Sequence, residues 1–248
     1  MKLVIVLPVY NEQLVLKKNA QAVRVFCRGV FTNDQLTIVI ADNASRDQTP
    51  AIAQQLAATY PDIKYLHVAE RGKGVAWRTA FLEYDADCYV VMDVDLAVSL
   101  VDLPPLVEAI RSGSDLVIGS RFLAGSRVQR TALRTLTSRV YRFLAQRVLQ
   151  SQISDFQCGF KALNRRSRDE LLPQTTDPEF FLDTEIAVMA EALNYTITEI
   201  PVEWSAYRDP LRKSTVNIIV TTYLYLQKIW KLRRRTAALR IDKKAKVA

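Results

Sequence analysis

The sequence predicts an α/β fold in which a mostly parallel central sheet carries helices on both faces. Short runs of continuous apolar residues alternate with helix-like segments along the first half of the chain. Strands that are apolar throughout are typical of parallel sheets, because helices cover both faces of such a sheet. Each apolar run is followed directly by polar, glycine or charged residues, which predicts a functional edge where the strands end.

The first half contains five predicted strands separated by four predicted helices. The strands are predicted over 2–9, 36–42, 63–68, 88–93 and 115–120. The helices are predicted over 12–28, 46–60, 74–84 and 103–112. A parallel pair of strands needs a long crossover connection, and each of these helices is long enough to supply one.

The second half is less regular, and no linker or repeat interrupts it. Helices are predicted over 129–150, 181–193 and 214–235, and strands over 159–165 and 196–204. We therefore expect one domain over residues 1–213, followed by an amphipathic helix and a basic tail over 214–248.

Composition excludes several classes of protein. With 248 residues, of which 49% are hydrophobic, the chain can build a substantial core. Its three cysteines include no CxxC pair, so neither a disulfide framework nor a zinc site is indicated, and a reducing compartment fits best. The single histidine, His67, lies in an alternating strand pattern and is interpreted as structural.

The net charge of +8 belongs to the C-terminal tail. From Lys228 onward the chain has nine basic residues and one acid, whereas the rest has 25 of each. A neutral body argues against a nucleic-acid binder, and a basic tail is attracted to anionic surfaces. No signal peptide and no window of about 18 apolar residues is found. We expect a cytoplasmic protein, peripheral on the cytoplasmic face of a membrane.

The predicted helix over 214–235 has two interpretations. It mixes Ile, Leu, Tyr and Trp230 and ends in a basic cluster, a pattern typical of a helix that lies on an anionic bilayer. Alternatively, its apolar face packs on the domain or mediates dimerisation.

The end of the fourth strand carries two carboxylates, Asp93 and Asp95. Like charges at a buried strand end repel each other unless a cation joins them, and Mg²⁺ or Mn²⁺ is the ordinary partner for such a pair. The alternative is that one aspartate caps a helix and the other is solvated. Polar residues at the other four predicted strand ends favour the metal site.

The segment "ERGKGVAWR" over 70–78 supplies glycines and positive charge at the end of the third strand. It lacks the spacing of a P-loop, and no GxGxxG follows the first strand. Gly72 and Gly74 would let the backbone approach a ligand closely, while Lys73 and Arg78 would attract an anion. A helix beginning near Gly74 would add free N–H groups.

These motifs together resemble the family-two glycosyltransferases, which have the GT-A (Rossmann-like) fold. The resemblance is carried by "LPVYNE", "ADNASRDQT", "RGKGVAWR", "MDVDL" and "GSR", in that order. Within the family, the chain is most similar to dolichyl-phosphate glucosyl- and mannosyltransferases. The segments "SDFQCGFKAL", "FFLDTEI" and "EIPVEW" extend the resemblance over roughly residues 3–215.

The resemblance implies a role for each matching residue. The residues expected to bind the sugar donor are Pro8, Tyr10, Glu12, Asp42, Asn43, Gly72, Lys73 and Gly74. Those expected to hold the metal on the donor diphosphate are Asp93 and Asp95. Those expected to bind the acceptor or line its approach are Arg121, Arg134, Ser138, Asp155 and Gln157. The further acidic active-site residues are Asp183 and Glu185.

Two departures from the family pattern and one open question accompany these expectations. Asn43 stands where the mannosyltransferases commonly have a second aspartate, and Ala97 stands where they often have glutamine. The third metal ligand is therefore left to water or another side chain. The arginines of 121–142 form either an acceptor site or a solvated helical face.

The implied reaction transfers a hexose, with inversion, from a nucleoside-diphosphate sugar to a polyprenyl phosphate. UDP-glucose and GDP-mannose remain equal candidates for the donor. A phosphate acceptor needs no general base, whereas a hydroxyl acceptor would need Asp183 or Glu185. The alternatives are transfer to a soluble or cell-envelope glycan and a catalytically silent, membrane-associated scaffold. A sugar-phosphate nucleotidyltransferase is disfavoured because the first strand is not followed by GxGxRL.

Overall fold

A seven-stranded sheet forms the centre of the protein in a computed structural model that describes residues 1–206, 225 and 227–239. The strands, including two outside this sheet, are β1 Lys2–Val9, β2 Gln35–Asp42, β3 Ile63–His67, β4 Cys88–Val91, β5 Leu116–Ser120, β6 Arg127–Gln129, β7 Lys161–Asn164, β8 Ile197–Pro201 and β9 Glu203–Ser205. The helices are α1 Leu16–Val30, α2 Thr49–Thr59, α3 Lys73–Glu83, α4 Leu103–Arg111, α5 Ala132–Leu149 and α6 Leu182–Ala192.

The sheet is parallel except for one strand. Its order is β3-β2-β1-β4-β7-β5-β8, and only β7 runs against its neighbours β4 and β5. The first five strands therefore all point the same way, so their carboxyl ends meet at one edge as predicted. The predicted strand over 196–204 divides at Val202 into β8 and β9, and β9 pairs with the unpredicted β6 in a small second sheet.

Helices cover both faces of the sheet, which confirms the predicted fold class. The side chains of β1 alternate between two apolar layers: Leu3 and Ile5 face the layer of α1, α2 and α4, and Val4 and Val6 face that of α3, α5 and α6. This period of two along a fully buried strand explains why its sequence is continuously apolar.

The described part of the C-terminal helix, 227–239, packs on the domain. Ile229 and Leu232 are buried in the layer of α3, α5 and α6. Lys228 lies 2.6 Å from an Asp177 carboxylate oxygen, and Arg235 forms an ion pair with Glu185. For this part, the face that carries Ile229 and Leu232 matches the packing alternative, while Trp230 is 61% exposed. The predicted domain boundary at 213/214, the helix start and the tail from 240 lie outside the described residues.

Within the described ranges, no helix has the length and apolar character needed to cross a bilayer.

Candidate active site

The acidic pair after β4 is balanced by a lysine from the start of α3. The ammonium nitrogen of Lys73 lies 2.6 Å from Oδ1 of Asp93. Burial alone would lower the pKa of Lys73, but the carboxylates of Asp93, Asp183 and Asp95 outweigh it and raise that pKa. Lys73 is therefore a fixed positive charge, and three of the predicted acidic site residues surround it.

A divalent metal fits this carboxylate pair. In the described part of the chain, no group of three or more His, Cys, Asp or Glu side chains is arranged to hold a metal. Mg²⁺ and Mn²⁺ do not require one, because they commonly use one or two carboxylates together with substrate phosphates and water. The Asp93 side chain is 39% exposed and accessible to a ligand, and Asp95 accepts a 3.1 Å hydrogen bond from the Ala97 N–H.

Gly159 closes over the ion pair, and it was not among the residues predicted from the sequence. A Cβ atom at this position would lie 2.7 Å from Oδ2 of Asp93 and 2.8 Å from Nζ of Lys73. Both distances are shorter than real Cβ contacts, so only glycine fits here without displacing the pair. The available signal was an isolated glycine ahead of the strand "FKALN".

Lys161 is a second buried lysine that was not predicted from the sequence. It is fully buried in β7, and its ammonium donates to the carbonyls of Phe156 (3.2 Å) and Cys158 (2.5 Å) and to Oδ1 of Asp183 (2.9 Å). An ammonium has three N–H donors, so all of them are used. Lys161 thereby positions both Asp183 and the loop that leads to Gly159.

The carboxylate of Asp42 is fully buried at the end of β2. It accepts hydrogen bonds from the Ser45 N–H at 3.1 Å and the Tyr65 hydroxyl at 3.2 Å, and it lies 3.3 Å from Nδ1 of His67. Burial, followed by the charge of Asp42, raises the pKa of Tyr65 to about 12. Asp42 thus organises the end of β3, where the chain's single histidine lies.

Asn43 holds the loop that carries Lys73. Its Nδ2 donates to the Glu70 carbonyl at 2.6 Å, and its Oδ1 accepts from the Gly72 N–H at 2.7 Å. A carboxylate could accept from Gly72 but could not donate to Glu70. The departure from the family's aspartate pair therefore has a structural explanation.

The two glycines beside Lys73 permit a close approach between parts of the protein itself. A Cβ atom on Gly72 would lie 2.1 Å from the Pro178 carbonyl oxygen, and one on Gly74 would lie 2.7 Å from that of Glu179. The Val75 N–H, at the start of α3, donates to the Pro178 carbonyl at 3.0 Å. These glycines pack the loop against segment 177–179, and their contact with a ligand stays a prediction.

The end of β1 presents an exposed aromatic ring. Tyr10 is 37% exposed, and the guanidinium of Arg71 lies 4.7 Å from its ring centroid. Pro8 is half-buried beside it, and the Glu12 N–H donates to the Thr49 hydroxyl at 2.8 Å. A flat ring with a cation above it can stack on a planar ligand group.

A small pocket lies beyond the end of β5. It is lined by Arg121, Phe122, Ser138, Tyr141, Arg142, Asp155, Phe156 and Gln157. The structure thus brings together four of the five residues predicted for acceptor binding. The fifth, Arg134, does not line the pocket, although its backbone carbonyl accepts a 2.7 Å hydrogen bond from the Ser138 hydroxyl.

Positive charge is concentrated around this pocket. Arg121 forms a bidentate pair with the buried Asp155, at 2.6 and 2.8 Å. The Arg130 and Arg142 guanidinium groups lie 5.3 and 5.0 Å from the Phe122 ring centroid. Burial, followed by the charge of Arg121, lowers the pKa of Arg130. An anion bound here would relieve the repulsion between these cations.

The Glu185 carboxylate is occupied by contacts within the protein. Its buried carboxylate accepts from the Thr176 N–H at 2.9 Å and the Asp177 N–H at 2.8 Å, and it also pairs with Arg235. These contacts give it a structural role between the loop before α6 and the C-terminal helix. Unlike Asp183, it is not among the carboxylates that raise the pKa of Lys73.

Comparisons of sequence identify the family. The model of the family described as "Glycosyl transferase family 2" matches residues 4–172. Glycosyltransferase AglD of Haloferax volcanii is 34% identical over 207 residues, covering 83% of this chain and 33% of AglD. Dolichyl-phosphate beta-glucosyltransferase ALG5A of Trichomonas vaginalis is 29% identical over 246 residues, covering 93% and 76%. Dolichol-phosphate mannosyltransferase of Pyrococcus furiosus is 35% identical over 129 residues, covering 52% and 36%.

The chain therefore spans one third of AglD and about three quarters of ALG5A.

Solved structures agree with the fold. Glucosyl-3-phosphoglycerate synthase from Mycobacterium tuberculosis, in complex with UDP, superposes with a TM-score of 0.63 at 16% identity, over 97% of this chain and 79% of that one. The same enzyme with Mn²⁺, UDP and phosphoglyceric acid gives a TM-score of 0.61 at 14% identity, over 97% and 78%. The family model covers more than half of the chain, which confirms the resemblance seen in its motifs: the chain belongs to glycosyl transferase family 2.

Proposed function

We propose that this chain transfers a hexose from a nucleoside-diphosphate sugar to the phosphate of a polyprenyl monophosphate. The observation that carries the proposal is that one segment joins two oppositely charged sites: residues 155–157 line the arginine-lined pocket, and Gly159 covers the Lys73–Asp93 pair. Burial lowers the pKa of Arg121, but Asp155 chiefly raises it, and Asp93 of the acidic site adds to the rise. The names of the dolichyl-phosphate relatives support this assignment.

The acidic pair would serve the donor. Asp93 and Asp95 would hold Mg²⁺ or Mn²⁺, which when bound supplies positive charge to the diphosphate leaving group. A fold neighbour was solved in complex with Mn²⁺ and UDP, which supports this choice of group. Lys73, already paired with Asp93, adds a second positive charge at the same place. Tyr10 and Asp42 lie at the neighbouring strand ends, where the base and ribose of the nucleotide would bind.

The arginine-lined pocket would hold the acceptor phosphate. Arg142 and the remaining donors of Arg121 would bind its oxygens, and the Ser138 hydroxyl lines the same space. A phosphate oxygen forms the new bond to the anomeric carbon as the bond to the diphosphate breaks, and the nucleoside diphosphate leaves. Attack from the face opposite the leaving group inverts that carbon. Because the phosphate is already anionic, no general base is needed.

A small soluble acceptor is the second candidate. A fold neighbour was solved with phosphoglyceric acid, and the arginines that line the pocket would also bind the phosphate group of such a molecule. Transfer to a hydroxyl would require a base, and Asp183 is the carboxylate positioned for that role. Its carboxylate is buried and already paired with Lys161, so it is poorly accessible to an acceptor hydroxyl, which favours the phosphate acceptor.

An acceptor screen with the full chain tests this function. UDP-glucose and GDP-mannose are each supplied with Mn²⁺, against a polyprenyl phosphate in vesicles or against phosphoglycerate. We expect product with the polyprenyl phosphate and its loss in the Asp93→Ala/Asp95→Ala double variant, with folding confirmed by circular dichroism. Product only with phosphoglycerate would support the second candidate. Undiminished turnover by the double variant would refute the proposed donor site.

Binding measurements distinguish the candidate donors. Thermal shifts with UDP, GDP and their sugars distinguish the donors, since a ligand that binds only the folded state stabilises it in proportion to the logarithm of its concentration. We place the protein on the cytoplasmic face of a membrane, where the phosphate of a membrane-anchored acceptor is accessible. Failure to bind any nucleotide sugar would instead support the silent scaffold.

A further inference from the structure

Helix α5 exposes a stripe of four apolar side chains. Leu133, Leu136, Val140 and Phe143 are between 49% and 63% exposed. Their spacing of three, four and three residues places them on one face of the helix, along roughly 15 Å of its length. A contiguous apolar stripe of this kind on a surface helix indicates a contact with another apolar phase. We call these four residues the α5 stripe.

The α5 stripe lies in a strongly basic segment. Between residues 122 and 154 the chain has six arginines and no aspartate or glutamate. Arg139 and Arg147 are exposed beside the stripe, and the guanidinium of Arg147 lies 5.3 Å from the Phe143 ring centroid. Apolar side chains flanked by arginines match the two layers of an anionic bilayer surface, the acyl chains and the headgroups.

The opposite face of α5 lines the arginine-rich pocket. Ser138, Tyr141 and Arg142 contribute to that pocket, and Ala145 and Leu149 anchor the same face in the core. At about 100° per residue, this face lies on the other side of the helix from the α5 stripe. One helix thus separates an exposed apolar surface from the site proposed for the acceptor phosphate.

We propose that the α5 stripe is the surface by which the protein docks on an anionic membrane. This rests on the proposed function, because it places the acceptor pocket one helix diameter from the lipid phase from which a polyprenyl phosphate would enter. It differs from the expectation drawn from the sequence, which assigned membrane contact to the C-terminal helix. In the described part of that helix, Ile229 and Leu232 face the protein core.

Flotation of the full-length protein tests the surface. Vesicles of phosphatidylcholine, with or without phosphatidylglycerol, are mixed with wild type or with the Leu136→Ser/Val140→Ser double variant. Both side chains are exposed, so the fold should survive the change. We expect wild type to float with the anionic vesicles and the double variant to bind roughly tenfold more weakly for each leucine-sized side chain removed from the membrane.

The matched control changes apolar residues that are equally exposed elsewhere. Val25→Ser on α1 and Val101→Ser before α4 remove side chains that are 69% and 61% exposed, and both variants should float like wild type. Arg139→Gln/Arg147→Gln should weaken flotation with anionic vesicles and reduce its salt sensitivity. If the α5 double variant floated like wild type, the proposal would be overturned.

A second measurement separates this inference from the proposed reaction. Transfer to a short, water-soluble prenyl phosphate without vesicles should be the same for wild type and the α5 double variant, because the stripe faces away from the pocket. If wild type transfers sugar but the variant still floats, the docking surface is wrong and the reaction stands. If the variant loses flotation but wild type uses no prenyl phosphate, the surface stands and the reaction is wrong. If wild type were a dimer, the double variant a monomer, and flotation unchanged, the α5 stripe would be the contact with a second copy of the chain. That outcome would overturn membrane docking.

Discussion

The ammonium nitrogen of Lys73 lies 2.6 Å from Oδ1 of Asp93, so the acidic pair at the end of β4 already has an internal counter-ion. Lys73 comes from the start of α3 and is brought there by a loop that Asn43 holds on one side and Pro178 packs on the other. The same carboxylates that attract Lys73 are those proposed to hold a divalent metal. Lysine and metal therefore compete for one negative site until donor phosphates bring further negative charge.

Replacing Lys73 with methionine should strengthen metal binding in the absence of nucleotide. The ammonium no longer neutralises Asp93 or repels a second cation, so we expect the Kd for Mn²⁺ to fall roughly tenfold. Binding of UDP should weaken at the same time, because a positive charge near its diphosphate is lost. Titration calorimetry measures both, and Lys73→Arg, which keeps the charge, is the control. Unchanged Mn²⁺ affinity in the methionine variant would contradict the competition.

Gly159→Ala should abolish most activity without unfolding the protein. The new methyl group would be forced to within about 3 Å of both members of the Lys73–Asp93 pair, and a misplacement of about 1 Å at an active site can cost on the order of a hundredfold in rate. Gly29→Ala is the matched control, since no atom lies within 4 Å of its added Cβ. Because Gly29 is in α1, its alanine variant should gain up to about 1 kcal/mol of stability. Steady-state turnover and urea unfolding of both variants decide the outcome, and full activity in Gly159→Ala would refute the predicted clash.

The sequence was sufficient to predict the sheet and Lys73, but not Lys161 and Gly159, which complete the site. Strand ends are visible as polar residues after apolar runs, so Asp42, Asp93 and Arg121 could be placed at one edge. Lys161 lies inside an apparently ordinary strand. Nothing in the neighbouring sequence indicates that its ammonium forms an ion pair with Asp183 of helix α6. Such contacts depend on the reversed strand β7, which brings the segment before it back to the active edge.

The local sequence pattern also does not indicate which residues contact each other when they are distant in the chain. The close approach of a ligand to Gly72 and Gly74 stays a prediction, and the structure shows that segment 177–179, about a hundred residues further on, packs closely against both glycines. Glu185 had the chemistry of an active-site acid, yet its carboxylate is occupied by the N–H groups of Thr176 and Asp177. Residue type limits what a side chain can do, whereas tertiary contacts determine which of those roles remains open.

Asn43→Asp should loosen the loop that carries Lys73. The new carboxylate can still accept from the Gly72 N–H, but it faces the Glu70 carbonyl without a proton to donate. We expect a loss of about 1–3 kcal/mol in unfolding free energy, as for other unsatisfied buried acceptors. The Asp variant should be no more stable than Asn43→Ala, which loses both bonds but adds no repulsion. Urea unfolding and the thermal shift with UDP measure the effect, and an Asp variant as stable as wild type would disprove the role of the donated bond.

Alkaline conditions should destabilise the protein through its buried thiols. Burial raises the pKa of Cys27 from 9.0 to about 12, so the folded state favours the protonated thiol more than the unfolded state does. The stabilisation is therefore complete below pH 9.0 and is lost as pH rises toward 12, by at most about 1.4 kcal/mol per pH unit for each thiol. Urea unfolding across this range should show a falling free energy. The slope should be shallower in Cys27→Ala, and equal slopes in the two proteins would contradict this assignment.

Removing the ammonium of Lys161 should be strongly destabilising, because Asp183 would remain buried without its partner. Loss of one member of a buried ion pair typically costs about 3–5 kcal/mol, and Lys161→Met should fall in this range. Adding Asp183→Leu should recover much of that stability, since the unpaired charge is then gone. Turnover should not recover with it, because a carboxylate that helps to keep Lys73 charged is lost as well. Urea unfolding and turnover of the single and double variants separate the two effects. A single variant that unfolds like wild type would show that the pair carries no such constraint.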